Sequence, residues 1–94
     1  MTSRISKEAV EDLAAAVEYL AERNLRAAKQ LVTDILDLAA QLDEGIFEGP
    51  EQKLRSGMLV RSWPLPPYRI YYRRRDGVLE VMRVYHQARN PITR

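Results

Sequence analysis

Residues 68–86 read YRIYYRRRDGVLEVMRVYH, and the fold turns on how this stretch pairs with itself. Asp76-Gly77 is a preferred pair for a tight type I′ hairpin turn, in which both central residues need positive φ. The residues on either side are rich in Tyr, Ile, Val and Leu, types that suit a pleated, half-buried surface. Folding the stretch about this turn predicts Arg75 opposite Val78, Arg73 opposite Glu80, Tyr72 opposite Val81, Tyr71 opposite Met82 and Arg69 opposite Val84. Unbroken alternation then predicts two faces. One carries Tyr68, Ile70, Tyr72, Leu79, Val81 and Tyr85, with Arg83 among them; it is the more apolar and is expected to lie under helices. The other carries Arg69, Tyr71, Arg73, Glu80, Met82, Val84 and His86.

Upstream, MLVRSW (58–63) predicts a short strand ended by PLPP, because proline cannot donate to a sheet ladder. GPEQKLRSG (49–57) reads as a loop. Before it the hydrophobic period changes from two to about 3.6. Val10, Leu13, Ala14, Val17, Leu20 and Ala21 form one helical stripe, with Ser6 as N-cap and acids in the first turns. Asn24 ends that helix or caps the next, whose stripe is Ala28, Leu31, Val32, Ile35, Leu38, Ala39 and Leu42. Gly45 is placed to terminate it, with Pro50 beyond. So short a connection predicts an antiparallel helical hairpin. TSRI (2–5) offers a further edge strand. The expected fold class is α+β: an N-terminal helical hairpin packed on one side of a small antiparallel sheet, one domain over residues 1–94.

The chain has 94 residues, 46% hydrophobic and 30% charged, with no cysteine and a single histidine. That composition is ordinary for a soluble globular domain with one core. No apolar run approaches the roughly 18 residues of a membrane helix, and the first residues lack the apolar stretch of a secretory signal. Without cysteine there are no disulfides or thiolate metal sites, and one histidine argues against a zinc site. No cofactor or metal is therefore expected, and the cytoplasm is the expected location. The net charge of +2 conceals a division. Residues 1–52 hold five bases against eleven acids, and residues 53–94 ten bases against two. Either the C-terminal half meets nucleic acid or an acidic protein, or the two halves attract each other within the fold.

SKEAVEDLAAAVEYLAERN, LRSG, YRIYYR and LEVMRVYHQAR, in this order and at these separations, resemble the RelE/ParE family of toxins from type II toxin–antitoxin systems. The resemblance covers almost the whole chain and leans to the ParE branch, through LRSG before the first central strand. It implies the RelE/ParE-like toxin fold. It also implies one of two activities: inhibition of DNA gyrase by binding, as in ParE-like members, or ribosome-dependent mRNA cleavage, as in RelE-like members. Either way it implies a cognate antitoxin, ParD-like for the first, that folds over the toxin in a hetero-oligomer.

An mRNA endonuclease without a metal needs phosphate charge neutralised and protons moved. Arg69, Arg83, Tyr85 and His86 are the residues available for that. The predicted register places Arg83 and Tyr85 across the sheet from Arg69 and His86, and the tail NPITR adds no tyrosine. Both points favour the ParE-like reading, in which the chain is a binder rather than an enzyme. The candidate antitoxin- or target-binding residues are Arg61, Arg69, Tyr71, Arg73, Met82, Val84, His86 and Arg89. Simpler roles exist for several residues: a cross-strand pair for Arg73 with Glu80, and for Arg83 an ion pair with an acid of the helical hairpin. Trp63 is expected as a core anchor.

Overall fold

The computed structural model describes residues 3–54 and 56–87. Its elements are β1 (Ser3–Ile5), α1 (Lys7–Ala21), α2 (Leu25–Asp43), β2 (Glu51–Lys53), β3 (Leu59–Leu65), β4 (Tyr68–Arg75) and β5 (Val78–His86). The strands form one sheet in the order β1-β5-β4-β3-β2. β2 to β5 pair antiparallel, as the turns between them require. β1 joins β5 in parallel, so the sheet is mixed.

Local signals set most boundaries. Ser6 caps α1, its Oγ accepting from the Ala9 N–H at 3.0 Å, and Asn24 Oδ1 accepts from the Ala27 N–H at 3.1 Å at the start of α2. α2 stops at Gly45, whose φ is +77°. There the Gly45 N–H donates to Leu42 O and the Ile46 N–H to Gln41 O, the paired bonds of a Schellman terminus. Arg74 adds a cation at this helix end, donating to Leu42 O and reaching Glu48 at 3.2 Å. At the β4–β5 turn, Asp76 and Gly77 have φ of 54° and 77°, as the type I′ geometry demands.

β3 runs further than expected, through Pro64 to Leu65, and the Pro66-Pro67 peptide, which is cis, forms its turn into β4. The Ser62 N–H donates to Pro50 O on the β2 side. Residue 64 faces the same way, beyond the end of β2, so its missing N–H costs the sheet no bond. β2 itself, EQK, lies in what the sequence presents as a loop; a turn closed by Leu54 N–H to Met58 O folds it onto β3.

The main core lies between the helices and one sheet face. Ala9, Leu31, Ile35, Leu38 and Leu42 from the helices meet Tyr68, Ile70, Tyr72, Leu79, Val81 and Val84 from the sheet. Phe47 and Trp63 stack at 4.3 Å against this cluster, so Trp63 is the core anchor expected of it. In α1 the inward residues are Ala9, Leu13, Ala16, Val17 and Leu20, whereas Val10 (51% exposed), Ala14 and Ala21 face outward. An alanine-rich helix offers several overlapping stripes, and packing chooses among them.

The predicted β4–β5 register holds from Arg75–Val78 to Tyr72–Val81, and then shifts by one at a β-bulge. Tyr71 pairs with Arg83, Ile70 with Val84, Arg69 with Tyr85 and Tyr68 with His86. Met82 is the extra residue. The bulge corrects four face assignments made from unbroken alternation, the first being Arg83, which leaves the helix side and pairs with Tyr71. Val84, only 5% exposed, enters the main core; Tyr85 moves to the opposite face; His86 comes round beside Tyr68.

Candidate partner-binding face

The sheet face turned away from the helices carries its own small apolar cluster. Val60 and Tyr71 are buried at its centre, with Leu54, Met58, Met82 and Tyr85 partly buried around them. No helical residue belongs to it. Tyr71 and Tyr85 meet edge-to-face at 6.2 Å. The turn at 54–58 folds Leu54 and Met58 toward this side, which is why a face without a helix still shields two residues.

Arginines frame the cluster. Arg73 donates from Nε to Glu80 at 3.0 Å, the cross-strand pair expected of it, and its Nη1 lies 3.6 Å from the Met58 sulfur. Arg69 donates to Ser62 Oγ at 2.8 Å. Arg83 stacks over the Tyr85 ring at 4.3 Å while reaching round the sheet edge to Asp12 of α1. Its Nε and Nη2 meet the two Asp12 oxygens at 2.8 and 2.9 Å, and Asp12 also accepts from the Val84 N–H at 3.0 Å. The bond to Asp12 holds the Arg83 pKa above its ordinary value, against desolvation. One carboxylate thus satisfies both a cation and the strand edge that β1 is too short to cover.

Of the candidate residues, the structure brings Arg69, Tyr71, Arg73 and Met82 onto this face and adds Tyr85. Val84 is in the core. Arg61 alternates to the helix side, where it donates to Gly49 O at 2.8 Å and pairs with Glu48 at 3.3 Å. His86 lies 5.5 Å edge-on from Tyr68, beside a cleft of about 360 Å³ between α1 and the end of β5, also lined by Ala15 and Tyr19. Arg89 lies outside the described residues. Sequence reasoning overlooked Val60, Ser62 and Met58, and it placed Tyr85 on the wrong face. The missed signal was in VLEVMRVY. Strict alternation puts Arg83 in the core, whereas skipping one residue substitutes Val84.

Among the described residues there is no group of three His, Cys, Asp or Glu side chains placed to hold a metal ion, and no helix is long and apolar enough to cross a membrane.

A helical hairpin on one face of a five-stranded sheet, with an arginine-framed apolar cluster on the other, defines an α+β class with close structural counterparts. A chain from the chromosomal ParDE toxin–antitoxin system of P. aeruginosa superposes with a TM-score of 0.72 at 19% identity, covering 92% of this chain and 95% of that one. A family model described as "ParE toxin of type II toxin-antitoxin system, parDE" matches residues 4–91, and the chain belongs to that family. No curated protein matches it.

Proposed function

We propose that the protein inhibits DNA gyrase by binding it and is neutralised by a ParD-like antitoxin whose amphipathic segment folds over the open sheet face. The observation that carries the antitoxin part is the second apolar cluster, which lies on the face without helices and is flanked by arginines. Apolar side chains of a partner gain burial there, and its carboxylates meet charged donors. The gyrase part rests on membership of the ParE family. His86 stands apart from Arg69, and Arg83 is engaged by Asp12, which supports a binder over a nuclease.

One observation favours the RelE-like alternative. The bulge places Tyr85 opposite Arg69 on one face, undoing part of the separation predicted from sequence. A paired assay decides between the readings. Toxin is added to a gyrase supercoiling and DNA-cleavage reaction and, in parallel, to translating ribosomes with labelled message. Inhibited supercoiling with intact message is expected. Message cleavage with unaffected gyrase would overturn the proposal.

A further inference from the structure

Four of the seven described bases in residues 53–87 meet a carboxylate within the fold. Arg61 and Arg74 both reach Glu48, Arg83 reaches Asp12, and Arg73 pairs with Glu80. Three of these four arginines find their carboxylates in the acidic N-terminal half. The charge division of the sequence is therefore used in part inside the molecule.

Arg69 is different. Its Nη1 donates to the hydroxyl of Ser62, a residue only 1% exposed, and that hydroxyl in turn lies 3.5 Å from Gln52 Oε1. Among the described residues no carboxylate meets the guanidinium, and none but Ser62 accepts a hydrogen bond from it. An arginine head tethered at one nitrogen, with further donors unclaimed by the described residues, is pre-organised to receive an anion. Its surroundings specify more. Arg69 faces Tyr85 across the strands and lies two positions from Tyr71 along β4, at the margin of the second apolar cluster.

We propose that Arg69 is the anion subsite of the open face, taking one carboxylate of an antitoxin segment whose adjacent apolar side chains cover Tyr85 and Met82. The inference rests on the antitoxin reading above. A nucleic-acid strand is the poorer occupant. Its phosphates recur at every nucleotide and call for a row of uncompensated cations. Here Arg73 and Arg83 are already matched, and the surface between them is apolar. Arg75, which lacks a carboxylate partner among the described residues, stands at the exposed hairpin tip at the far end of β4. One fixed cation beside an apolar cluster corresponds to one acid beside apolar anchors.

Calorimetric titration of the full-length toxin with its full-length ParD-like antitoxin tests this. Arg69→Ala is expected to weaken binding at least about tenfold, because a charge-assisted contact is lost. Arg69→Lys should recover part of the loss, and Arg75→Ala should stay within about twofold of wild type. One Asp→Asn or Glu→Gln replacement in the antitoxin should reproduce the loss, with no further effect when combined with Arg69→Ala. Melting curves for each variant separate folding defects from binding defects; if Arg69→Ala fails to fold, Arg69→Lys and Arg69→Gln carry the comparison. Unchanged affinity in the folded variants overturns the subsite and leaves the antitoxin reading standing. Absence of antitoxin binding by the wild type overturns both. If loss of Arg69 abolishes binding of a single-stranded RNA oligonucleotide while antitoxin affinity is unmoved, the subsite belongs to nucleic acid and the proposal is wrong.

Discussion

Asp12→Ala is the substitution from which the structure predicts most. The Asp12 side chain is 15% exposed and accepts three hydrogen bonds, two from Arg83 and one from the Val84 N–H. Removing it leaves a backbone donor of a core residue without a partner, at a cost of about 1–3 kcal/mol. The lost ion pair adds about 0.5–1 kcal/mol, kept low because the Arg83 side chain is 32% exposed and screened by water. Together about 1.5–4 kcal/mol is expected, which for a chain of this size lowers the melting temperature by about 6–30 °C. Arg83→Ala should cost only about 0.5–1 kcal/mol, since Asp12 can still accept from Val84. The order of the two effects is therefore the sharper expectation. Urea unfolding with a common slope measures both. If Arg83→Ala proves as damaging as Asp12→Ala, the ion pair dominates and the edge-capping argument fails; a loss below about 0.5 kcal/mol for Asp12→Ala refutes the whole account. The hydrogen bond to Asp12 raises the Arg83 pKa. A raised folded-state pKa contributes stability at every pH below the ordinary arginine value and loses it only as pH climbs past the raised one. That contribution is flat through the neutral range.

Gly49→Ala should be among the most disruptive small changes, because a Cβ there would lie 1.7 Å from Ser62 O; a loss of about 3 kcal/mol or more is expected in urea unfolding, and a mild effect would show that β3 can yield. Ser6→Ala removes both the α1 cap and the hydroxyl's 2.8 Å bond to Met82 O, so about 1–2 kcal/mol is expected, against about 1 kcal/mol for the single cap lost in Asn24→Ala. His86→Ala is expected to leave gyrase inhibition intact in the supercoiling assay, since His86 sits beside Tyr68 and away from the arginine-framed face; loss of activity in a variant with normal melting would contradict that.

What the sequence disclosed was what short-range chemistry decides. Ser6, Asn24, Gly45 and Asp76-Gly77 each act through bonds to residues a few positions away, and each ended or turned its element as expected. The face under the helices was also legible from Tyr68, Ile70, Tyr72, Leu79 and Val81, because their apolar alternation is uninterrupted. The Met82 bulge was not. It is set by what lies on either side of the strand: Asp12 claiming the Val84 N–H, Ser6 taking the Met82 carbonyl, and the core accepting Val84 in preference to Arg83. That one residue reassigned Tyr85 and His86, and with them the composition of the candidate site. The three-residue strand EQK was hidden for another reason. It carries no alternation, and it exists because the hairpin at 54–58 returns the chain beside it.

The place of β5 in the sheet has a consequence for synthesis. Of the described strands it is the last to be made, yet it lies between β1 and β4 and supplies three core residues. Residues 3–5 have no strand partner until residues 79–81 arrive, and Asp12 waits as long for Arg83. Contacts this distant in the chain close late and together. A fragment ending at Arg75 is expected to show no protected core amides in hydrogen exchange; protection like that of the full chain would disprove this. A ribosome that abandons this message before β5 is therefore expected to release an unfolded peptide, because the sheet cannot close until residues 78–86 have been made.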